Sequence, residues 1–297
     1  MRAVTILNAS AAAGAAASRC DAVARALAGA EIAGDVLTAE PDEVPDRVRQ
    51  SVQSAVDAVI VGGGDGTISA AAGALLGGNV PLGILPLGTL NHFAKDLRLP
   101  LDLDGAARVI AAGHVRRVDV GSVNGHVFIN NSSIGIYPQV VRHREAQQHR
   151  LGRSKWVAFG VAVLHALRRL PMLDVHCDTG ADALRRVTPF LFVGNNCYGA
   201  SDSKFGGRAR IDAGRLCVYV ADRTGRLALF RLAVRALLGR LPADRDIASL
   251  APAELIVDTR RRVIDVASDG EVLAMQAPLQ YRIHPGALPV IVAAGST

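Results

Sequence analysis

One acidic residue, Asp65, stands inside a run of glycines between Gly62 and Gly66, directly after an apolar segment. A buried strand, a glycine turn and the start of a helix together present backbone N–H groups and a helix dipole to phosphate. A carboxylate there would repel phosphate unless a divalent cation or an inner-shell water lies between them. The pattern therefore favours a magnesium nucleotide over a bare anion. The alternative is a tight turn in which Asp65 caps a helix.

Two well-known nucleotide-binding loops do not fit this run of glycines. The Walker A pattern GxxxxGK[ST] needs a Lys that does not follow here, and the GxGxxG pattern breaks because Thr67 replaces its third Gly. A second polar segment, PLGTLNHFAKDL, follows the next predicted strand. Because loops at the carboxyl ends of neighbouring parallel strands share one crevice, Gly88, Thr89 and Asn91 are predicted to face Asp65.

The elements that would position these residues are predicted to form two domains. Through residue 115, apolar strands alternate with helical segments, which predicts a parallel sheet covered on both faces. Strand-like runs follow, with a hairpin signal at Asn124-Gly125 and helical patterns at Trp156–Leu170 and Leu227–Leu238. The predicted fold class is α/β plus β-rich, with an α/β nucleotide-binding domain at 1–118 and an antiparallel β-sandwich-like domain at 119–297.

Composition and charge narrow the class of protein. The chain is 50% hydrophobic and 20% charged, which predicts a globular fold. A formal charge of +6 suits an anionic partner, but aromatic residues make up only 4%, so nucleic acid is not predicted as a partner. The four cysteines lie far apart, so we expect neither a disulfide framework nor a zinc site, and a cytoplasmic location. No uncharged apolar run reaches about 18 residues, so no membrane span is predicted.

Several motifs together resemble one family of enzymes. The segment GGGDGT, Gly62–Thr67, followed by PLGTLNHFA, resembles the catalytic domain of the diacylglycerol kinase and sphingosine kinase superfamily of lipid kinases. Three later segments resemble further motifs of that family in the required order: NNSSIGI at Asn130–Ile136, RIDAGRLCVYV, and SDGE at Ser268–Glu271. The first motif alone also resembles loops of NAD kinases and phosphofructokinases. The resemblance covers nearly the whole chain. It implies a nucleotide-binding domain like that of NAD kinases and phosphofructokinases.

The resemblance also implies roles for residues in both predicted domains. Asp269 would be the general base that accepts the proton of a lipid hydroxyl, and Glu271 would support that base or the metal. ATP and Mg²⁺ are the implied cofactors, with Asp65 as a third catalytic residue and as the metal position, through ATP-linked magnesium or a water. The implied ATP-binding residues lie at the ends of the first two strands and in the two glycine loops: Asn8, Thr38, Gly62, Gly63, Gly64, Asp65, Gly66, Thr67, Ser69, Gly88, Thr89 and Asn91.

Two positions depart from the family's pattern. His92 stands where relatives of the soluble bacterial diacylglycerol kinase type often have an Asp that joins a water network near magnesium. Asp96 is a candidate substitute if the segment is helical, and His92 is interpreted as a structural residue at the cleft. Ala213 replaces the family's Asp at a structural metal site, and the adjacent Asp212 would point elsewhere. Only the ATP-linked magnesium is therefore expected.

A lipid acceptor would have to be reached at a membrane surface. The segment Arg142–Trp156 carries five Arg or Lys residues beside a Trp, which fits transient binding to anionic headgroups. A solvated surface helix is an equal alternative for this segment. Gly225–Pro242 is a second candidate, with arginines in an apolar stripe that core packing explains at least as well. The predicted location is therefore cytoplasmic with peripheral membrane association.

The sequence favours one function and leaves two alternatives. The favoured function is an ATP-dependent lipid kinase whose first domain binds magnesium-ATP and whose second domain holds the lipid and supplies Asp269. The alternatives are a kinase of a soluble acceptor, as in NAD kinase, and a nucleotide- or lipid-binding regulator without turnover. The identity of the acceptor and the oligomeric state, a homodimer included, stay open.

Overall fold

The computed structural model describes residues 1–9, 16–135, 138, 172–180, 183–198, 208, 210–221 and 247–295. The helices within these ranges are α1 (Ala16–Gly29), α2 (Val44–Gln53), α3 (Asp65–Leu75), α4 (His92–Asp96) and α5 (Leu103–Ala112). The first strands are β1 (Ala3–Asn8), β2 (Val36–Ala39), β3 (Ala58–Gly63), β4 (Leu82–Pro86), β5 (Val115–Val123), β6 (His126–Phe128), β7 (Asn131–Gly135) and β8 (Leu173–Asp178). The remaining strands are β9 (Ala183–Thr188), β10 (Phe190–Asn195), β11 (Leu216–Ala221), β12 (Ile247–Leu250), β13 (Glu254–Thr259), β14 (Val263–Ser268), β15 (Glu271–Gln276) and β16 (Leu279–Ile291).

The first half of the chain forms a parallel sheet in the order β2-β1-β3-β4. β3 is buried at every residue because it lies between two strands and under helices on both faces. Val59 and Val61 pack with α2 and α3, whereas Ala58 and Ile60 pack with α1 and α5. This cover on both faces explains why β3 is apolar throughout. Parallel pairing also places the loops after β3 and β4 at the same edge of the sheet.

The second half of the chain is mainly antiparallel and forms a sandwich. Asn124 and Gly125 connect β5 to β6 with φ of 47° and 81°, the left-handed conformations that a two-residue hairpin turn requires. The hairpin prediction is confirmed. A six-stranded sheet, β12-β11-β10-β7-β14-β15, packs Ile134 and Val266 against Tyr281 of the larger sheet. The predicted fold class, an α/β part followed by an antiparallel sandwich, is therefore confirmed, although β9 and β12 were not predicted.

The last strand, β16, connects the two halves. It pairs with β13 near its beginning, with β4 in parallel at Val290, and with β5 along most of its length. The sheet that carries the glycine loop is therefore continuous with one sheet of the sandwich, and it contains ten strands within the described residues. The division of the chain at residue 118 stays a prediction.

Several sequence-based expectations lie outside the described residues or need correction. Both later helical patterns and both candidate membrane-binding segments fall outside the described ranges. In the part of the chain that is described, no helix is both long and apolar enough to span a bilayer. Cys197 and Cys217 form a disulfide with Cα atoms 5.0 Å apart, so the expectation drawn from cysteine spacing is wrong for this pair. Cys197 lies two residues after the end of β10, and the pairing of β10 with β11 brings it near Cys217, which linear spacing does not reveal.

Candidate active site

Asp65 is the first residue of α3, and its carboxylate connects the two glycine loops. Oδ2 accepts the backbone N–H of His92 at 3.1 Å, and Oδ1 accepts that of Phe93 at 3.0 Å. These N–H groups belong to the first turn of α4, so Asp65 caps that helix from the neighbouring loop. The alternative in which Asp65 caps the helix of its own turn is wrong, because the N-cap of α3 is Gly64 and Asp65 instead binds the first turn of α4. His92 contributes its backbone to this contact, and its side chain is exposed.

The two glycine loops touch through their backbones. A Cβ atom added to Gly88 would lie 2.5 Å from the Cα atom of Gly64 and 2.7 Å from Oδ1 of Asn91. Glycine is needed at this position because no side chain fits between the loops. Asn91 has φ of 50° and fixes the second loop with its side-chain amide, which accepts from Gly88 N at 3.0 Å and donates to Gly88 O at 2.9 Å. The two loops therefore meet at one edge of the sheet, as the strand order predicts.

The start of α3 offers backbone N–H groups to an anion. Its N-cap residue is Gly64, which has no side chain to cap the first turn. The N–H groups of this turn and the positive end of the helix dipole lie beside the contact between the two loops. The side chain of Thr89 is exposed beside it. This arrangement can bind phosphate.

The other predicted ATP-binding residues surround this turn at different depths. Asn8, at the end of β1, donates from Nδ2 to Oγ1 of Thr67 at 2.6 Å and so fixes the first turn of α3 to the sheet. Thr38 is exposed near the end of β2. Gly62 and Gly63 are the last two residues of β3 rather than loop residues, and both are buried. Added Cβ atoms there would meet the side chains of Leu7 and Thr67, so these glycines serve packing around the loop.

Asp269 lies in the two-residue turn between β14 and β15, with φ of 46° followed by 92° at Gly270. Its carboxylate accepts three backbone N–H groups, from Ile129 at 2.7 Å, Asn130 at 2.9 Å and Asn131 at 3.1 Å. Burial raises the pKa of Asp269, whereas these N–H groups and the hydroxyl of Ser69 oppose the rise. The SDGE segment is thus a tight turn that aims a carboxylate inward.

Ser69 and Glu271 bring the first and second halves of the chain together at this point. Ser69 lies in α3 and is buried, and its hydroxyl donates to the carbonyl of Val127 at 3.3 Å as well as contacting Asp269. Glu271 follows the turn, and its Oε1 lies 2.7 Å from the position that a Cβ atom on Gly66 would occupy. The carboxylate of Glu271 therefore lies over the first turn of α3. The first glycine loop and the SDGE segment therefore meet at this point.

Asn130 is the residue that joins the two aspartates, and it was absent from the predicted site. Its backbone N–H binds Asp269, and its Nδ2 donates to Oδ1 of Asp65 at 3.3 Å. The hydroxyl of Tyr198 donates to the carbonyl of Asn130 at 3.1 Å, and burial raises the pKa of Tyr198 to about 12. The NNSS motif was the available signal for Asn130, since it precedes a buried strand. Tyr198 had no comparable signal.

Asp96 does not take the place of the Asp that relatives carry beside Asn91. Its carboxylate accepts from Nε of Arg208 at 2.7 Å, and the side chain of Arg208 is completely buried. The expectation that Asp96 could serve the magnesium water network is therefore not supported by its position. The ion pair instead contacts Asn130, whose Oδ1 accepts from Nη2 of Arg208 at 3.1 Å.

The region around Ala213 is held together by hydrogen bonds to a different carboxylate, that of Asp119. Asp119 is 2% exposed and accepts from Gly214 N at 2.6 Å, Gly286 N at 2.8 Å and Asn196 Nδ2 at 3.0 Å. Asp212 points away from this cluster toward Arg116, with Nη2 and Oδ2 2.6 Å apart. Asp119 thus connects β5, the turn before β11 and the irregular part of β16.

We expect Asp119→Ala to lower the free energy of unfolding by about 3–4 kcal/mol, because it leaves one buried and two half-buried donors without an acceptor. Equilibrium urea denaturation measures this loss. Asp258→Ala is the matched control, since Asp258 is exposed at the end of β13 and should change stability by no more than about 0.5 kcal/mol. Equal losses for the two variants would contradict the assigned role of Asp119.

The residues present fit a magnesium ion that arrives with a nucleotide rather than a protein-built metal cage. Among the described residues, no group of three or more His, Cys, Asp or Glu side chains could hold a metal. Oδ2 of Asp65 accepts a single described hydrogen bond and so keeps a lone pair for a water or cation. Mg²⁺ usually binds one or two carboxylates together with substrate phosphates and waters. Asp65 is the residue that would take part.

Comparison with known families agrees with this architecture. Residues 2–123 match the family described as diacylglycerol kinase catalytic domain, and residues 132–292 match the YegS C-terminal NAD kinase beta sandwich-like domain. The second match covers more than half of the chain. The chain therefore belongs to the family in which these two domains follow one another, the YegS-type and diacylglycerol kinase-like proteins.

Curated relatives include "Probable lipid kinase YegS-like" proteins. The protein from Citrobacter koseri is 36% identical over 138 residues, which cover 44% of this chain and 46% of the relative. The protein from Pectobacterium atrosepticum is 34% identical over 144 residues, or 46% of each chain. The chain thus spans about half the length of the curated relatives it matches.

Solved structures share the fold over the whole chain. "A putative diacylglycerol kinase from Bacillus anthracis str. Sterne" superposes with a TM-score of 0.77 at 24% identity, covering 100% of this chain and 98% of that chain. A second structure from the same organism, also described as a putative diacylglycerol kinase, has a TM-score of 0.75 at 24% identity with the same coverage. At this identity the likeness establishes the fold.

Proposed function

We propose that the protein is an ATP-dependent lipid kinase. The observation that carries the proposal is the short connection between the glycine loop and the buried carboxylate of the second half. Asn130 donates from Nδ2 to Asp65 at 3.3 Å and from its backbone to Asp269 at 2.9 Å. Asn130 thus links the turn that would bind phosphate to the carboxylate that would act as general base, and phosphoryl transfer to a hydroxyl needs these two groups close together.

The first half of the chain would hold the nucleotide. The uncapped first turn of α3 would bind phosphate oxygens, and Gly64 meets Gly88 beside this turn with no side chain between them. Asp65 would orient a water or the magnesium that accompanies ATP. When bound, that ion neutralises charge on the phosphates.

Asp269 would receive the proton from the acceptor. The acceptor hydroxyl oxygen forms a bond to the γ-phosphorus while the bond from that phosphorus to the β–γ bridging oxygen breaks, and ADP leaves. The hydroxyl proton passes to the Asp269 carboxylate, which is held in one orientation by its three backbone donors. Glu271, whose carboxylate lies over the first turn of α3, would support Asp269 or the magnesium.

Aromatic side chains of the six-stranded sheet support the proposal that the acceptor has an apolar body. Phe192 lies at the centre of an aromatic cluster, with its ring centroid 5.6 Å from that of Tyr198 and 5.9 Å from that of Tyr219. Ser133 of β7 pairs with Phe192, so this cluster adjoins the strand that begins at Asn131 beside Asp269. Apolar and aromatic walls with a few polar groups are typical of sites for lipid-like ligands. Peripheral membrane binding through the basic segment after residue 141 belongs to the same proposal.

An acceptor screen tests the proposed function. The protein is incubated with magnesium and γ-labelled ATP. The acceptor is either a lipid extract in mixed micelles or a set of soluble compounds with hydroxyl groups, NAD among them. We expect the label in a chloroform-extractable lipid and no transfer to the soluble acceptors. Label in a soluble product would favour the kinase of a soluble acceptor. ATP binding without transfer to any acceptor would favour a regulator without turnover.

A further inference from the structure

We propose that Arg208 is a positioning residue for phosphoryl transfer, which holds the segment Ile129–Asn131 and through it the carboxylates of Asp65 and Asp269. The inference rests on the proposed function and adds a residue to its site. Arg208 was not among the predicted site residues. Its contacts, and not a motif, assign the role.

The guanidinium of Arg208 uses all three of its nitrogen atoms. Nε donates to Asp96 Oδ2 at 2.7 Å, and Nη2 donates to Asn130 Oδ1 at 3.1 Å. Nη1 donates to the carbonyl oxygens of Ile129 at 2.6 Å and Asn195 at 2.9 Å. The side chain is 0% exposed. A planar fork with this set of partners cannot be reproduced by the single charged nitrogen of Lys.

The segment Ile129–Asn131 lies between two charged groups of opposite sign. Arg208 binds it from the carbonyl side, at Ile129 O and at the side chain of Asn130. Asp269 binds it from the amide side, through the N–H groups of all three residues. The position of the Asp269 carboxylate therefore depends on a peptide segment that Arg208 anchors.

Arg208 also determines which way the Asn130 amide points. Because Oδ1 faces the guanidinium, Nδ2 faces the carboxylate of Asp65. A rotated amide would place Oδ1 against the Asp65 carboxylate and Nδ2 against Arg208, and both contacts would be repulsive. The cation thus fixes a hydrogen bond to Asp65 that it does not itself make.

A purely stabilising role explains this buried ion pair less well. Two buried charges lose hydration on folding, so an ion pair such as Arg208 with Asp96 is weak evidence for stability. Fixing the orientation of neighbouring catalytic groups is a different benefit. A displacement of about 1 Å in such a group costs on the order of 100-fold in rate.

The test compares Arg208→Lys with Arg210→Lys in the intact protein. Arg210 is a matched control because its side chain is 70% exposed and pairs with Asp212. We expect Arg208→Lys to lower kcat by about 10- to 100-fold with the KM for ATP unchanged. We expect Arg210→Lys to leave both constants unchanged. A kcat for Arg208→Lys equal to that of the wild type, or a loss confined to the KM for ATP, would overturn the inference.

A second readout separates this inference from the proposed function. Amide hydrogen exchange of residues 129–131 reports the anchoring of the segment whether or not phosphate is transferred. We expect faster exchange there in Arg208→Lys, with exchange in β3 unchanged. If the wild type transfers no phosphate to lipid, the proposed function is wrong. If exchange at residues 129–131 is also unchanged in Arg208→Lys, the role of Arg208 is wrong as well. Faster exchange in the same circumstance would support the positioning role alone.

Discussion

Asp269→Asn is expected to reduce phosphate transfer to lipid by about 10²- to 10⁴-fold, because it removes the group that accepts the hydroxyl proton. The change keeps the shape of the side chain. Oδ1 of the new amide can still accept from Asn130 and Asn131, as Oδ1 of Asp269 does. ATP binding should therefore persist, since the turn that would bind phosphate lies in the other half of the chain. Initial rates with labelled ATP and the equilibrium constant for ATP binding measure the two effects.

The same substitution has a structural cost that the experiment must separate. The Nδ2 group of Asn would face the N–H of Ile129, which donates to Oδ2 of Asp269 at 2.7 Å, so two donors would meet. We expect a loss of about 1–3 kcal/mol in unfolding free energy from this contact. Transfer is therefore measured well below the midpoint temperature of the variant. Asp258→Asn, at an exposed strand end, is the control and should leave both rate and stability unchanged. Full activity in folded Asp269→Asn would show that another group takes the proton.

Gly88→Ala is expected to weaken ATP binding by about 10- to 100-fold, or about 1–3 kcal/mol of binding free energy, because the added methyl group would push apart the two loops. The added methyl group would lie 2.5 Å from the Cα atom of Gly64, which is backbone and cannot move aside as a side chain can. The two loops must separate, so the contacts of Asp65 with the first turn of α4 are strained at the same time. Calorimetric titration with magnesium-ATP measures the change.

Gly73→Ala provides a matched control in the same part of the molecule. Gly73 lies within α3, and an added Cβ atom would meet Val127 at 3.5 Å, an ordinary van der Waals distance. Alanine in a helix interior is favoured over glycine by about 0.5–1 kcal/mol, so this variant should be as stable as the wild type or more so. Its affinity for ATP should not change. An unaltered affinity in Gly88→Ala would contradict the assignment of the nucleotide to the crevice between the loops.

Local pattern and chain order were sufficient to predict the fold class and the meeting of the two glycine loops. β3 is apolar throughout because it is covered on both faces, and the Asn124-Gly125 turn needs two left-handed residues. Asp65 and Gly88 were placed near one another because the ends of adjacent parallel strands must lie at one edge. These are features that a short stretch of sequence determines.

The long-range polar contacts of the site could not be predicted in the same way. Arg208 reaches Asp96 across 112 residues, and Asn130 joins carboxylates that belong to α3 and to the turn after β14. Nothing in the local sequence distinguishes a buried Arg from an exposed one, since its burial depends on which partners surround it. For the same reason Asp65 could be read as a metal ligand or as a cap, and its bonds to His92 and Phe93 become evident from the three-dimensional structure.

In the proposed reaction, phosphate passes from ATP to a lipid hydroxyl at the site shared by Asp65 and Asp269. Phosphorus NMR of a reaction with magnesium-ATP and the lipid acceptor tests it most directly, because ATP, ADP, inorganic phosphate and a lipid phosphomonoester give separate signals. We predict that ADP and the lipid phosphomonoester appear in equal amounts with the wild type and that neither accumulates with Asp269→Asn. ADP accompanied by inorganic phosphate alone, or a lipid product that forms equally well with Asp269→Asn, would contradict the claim.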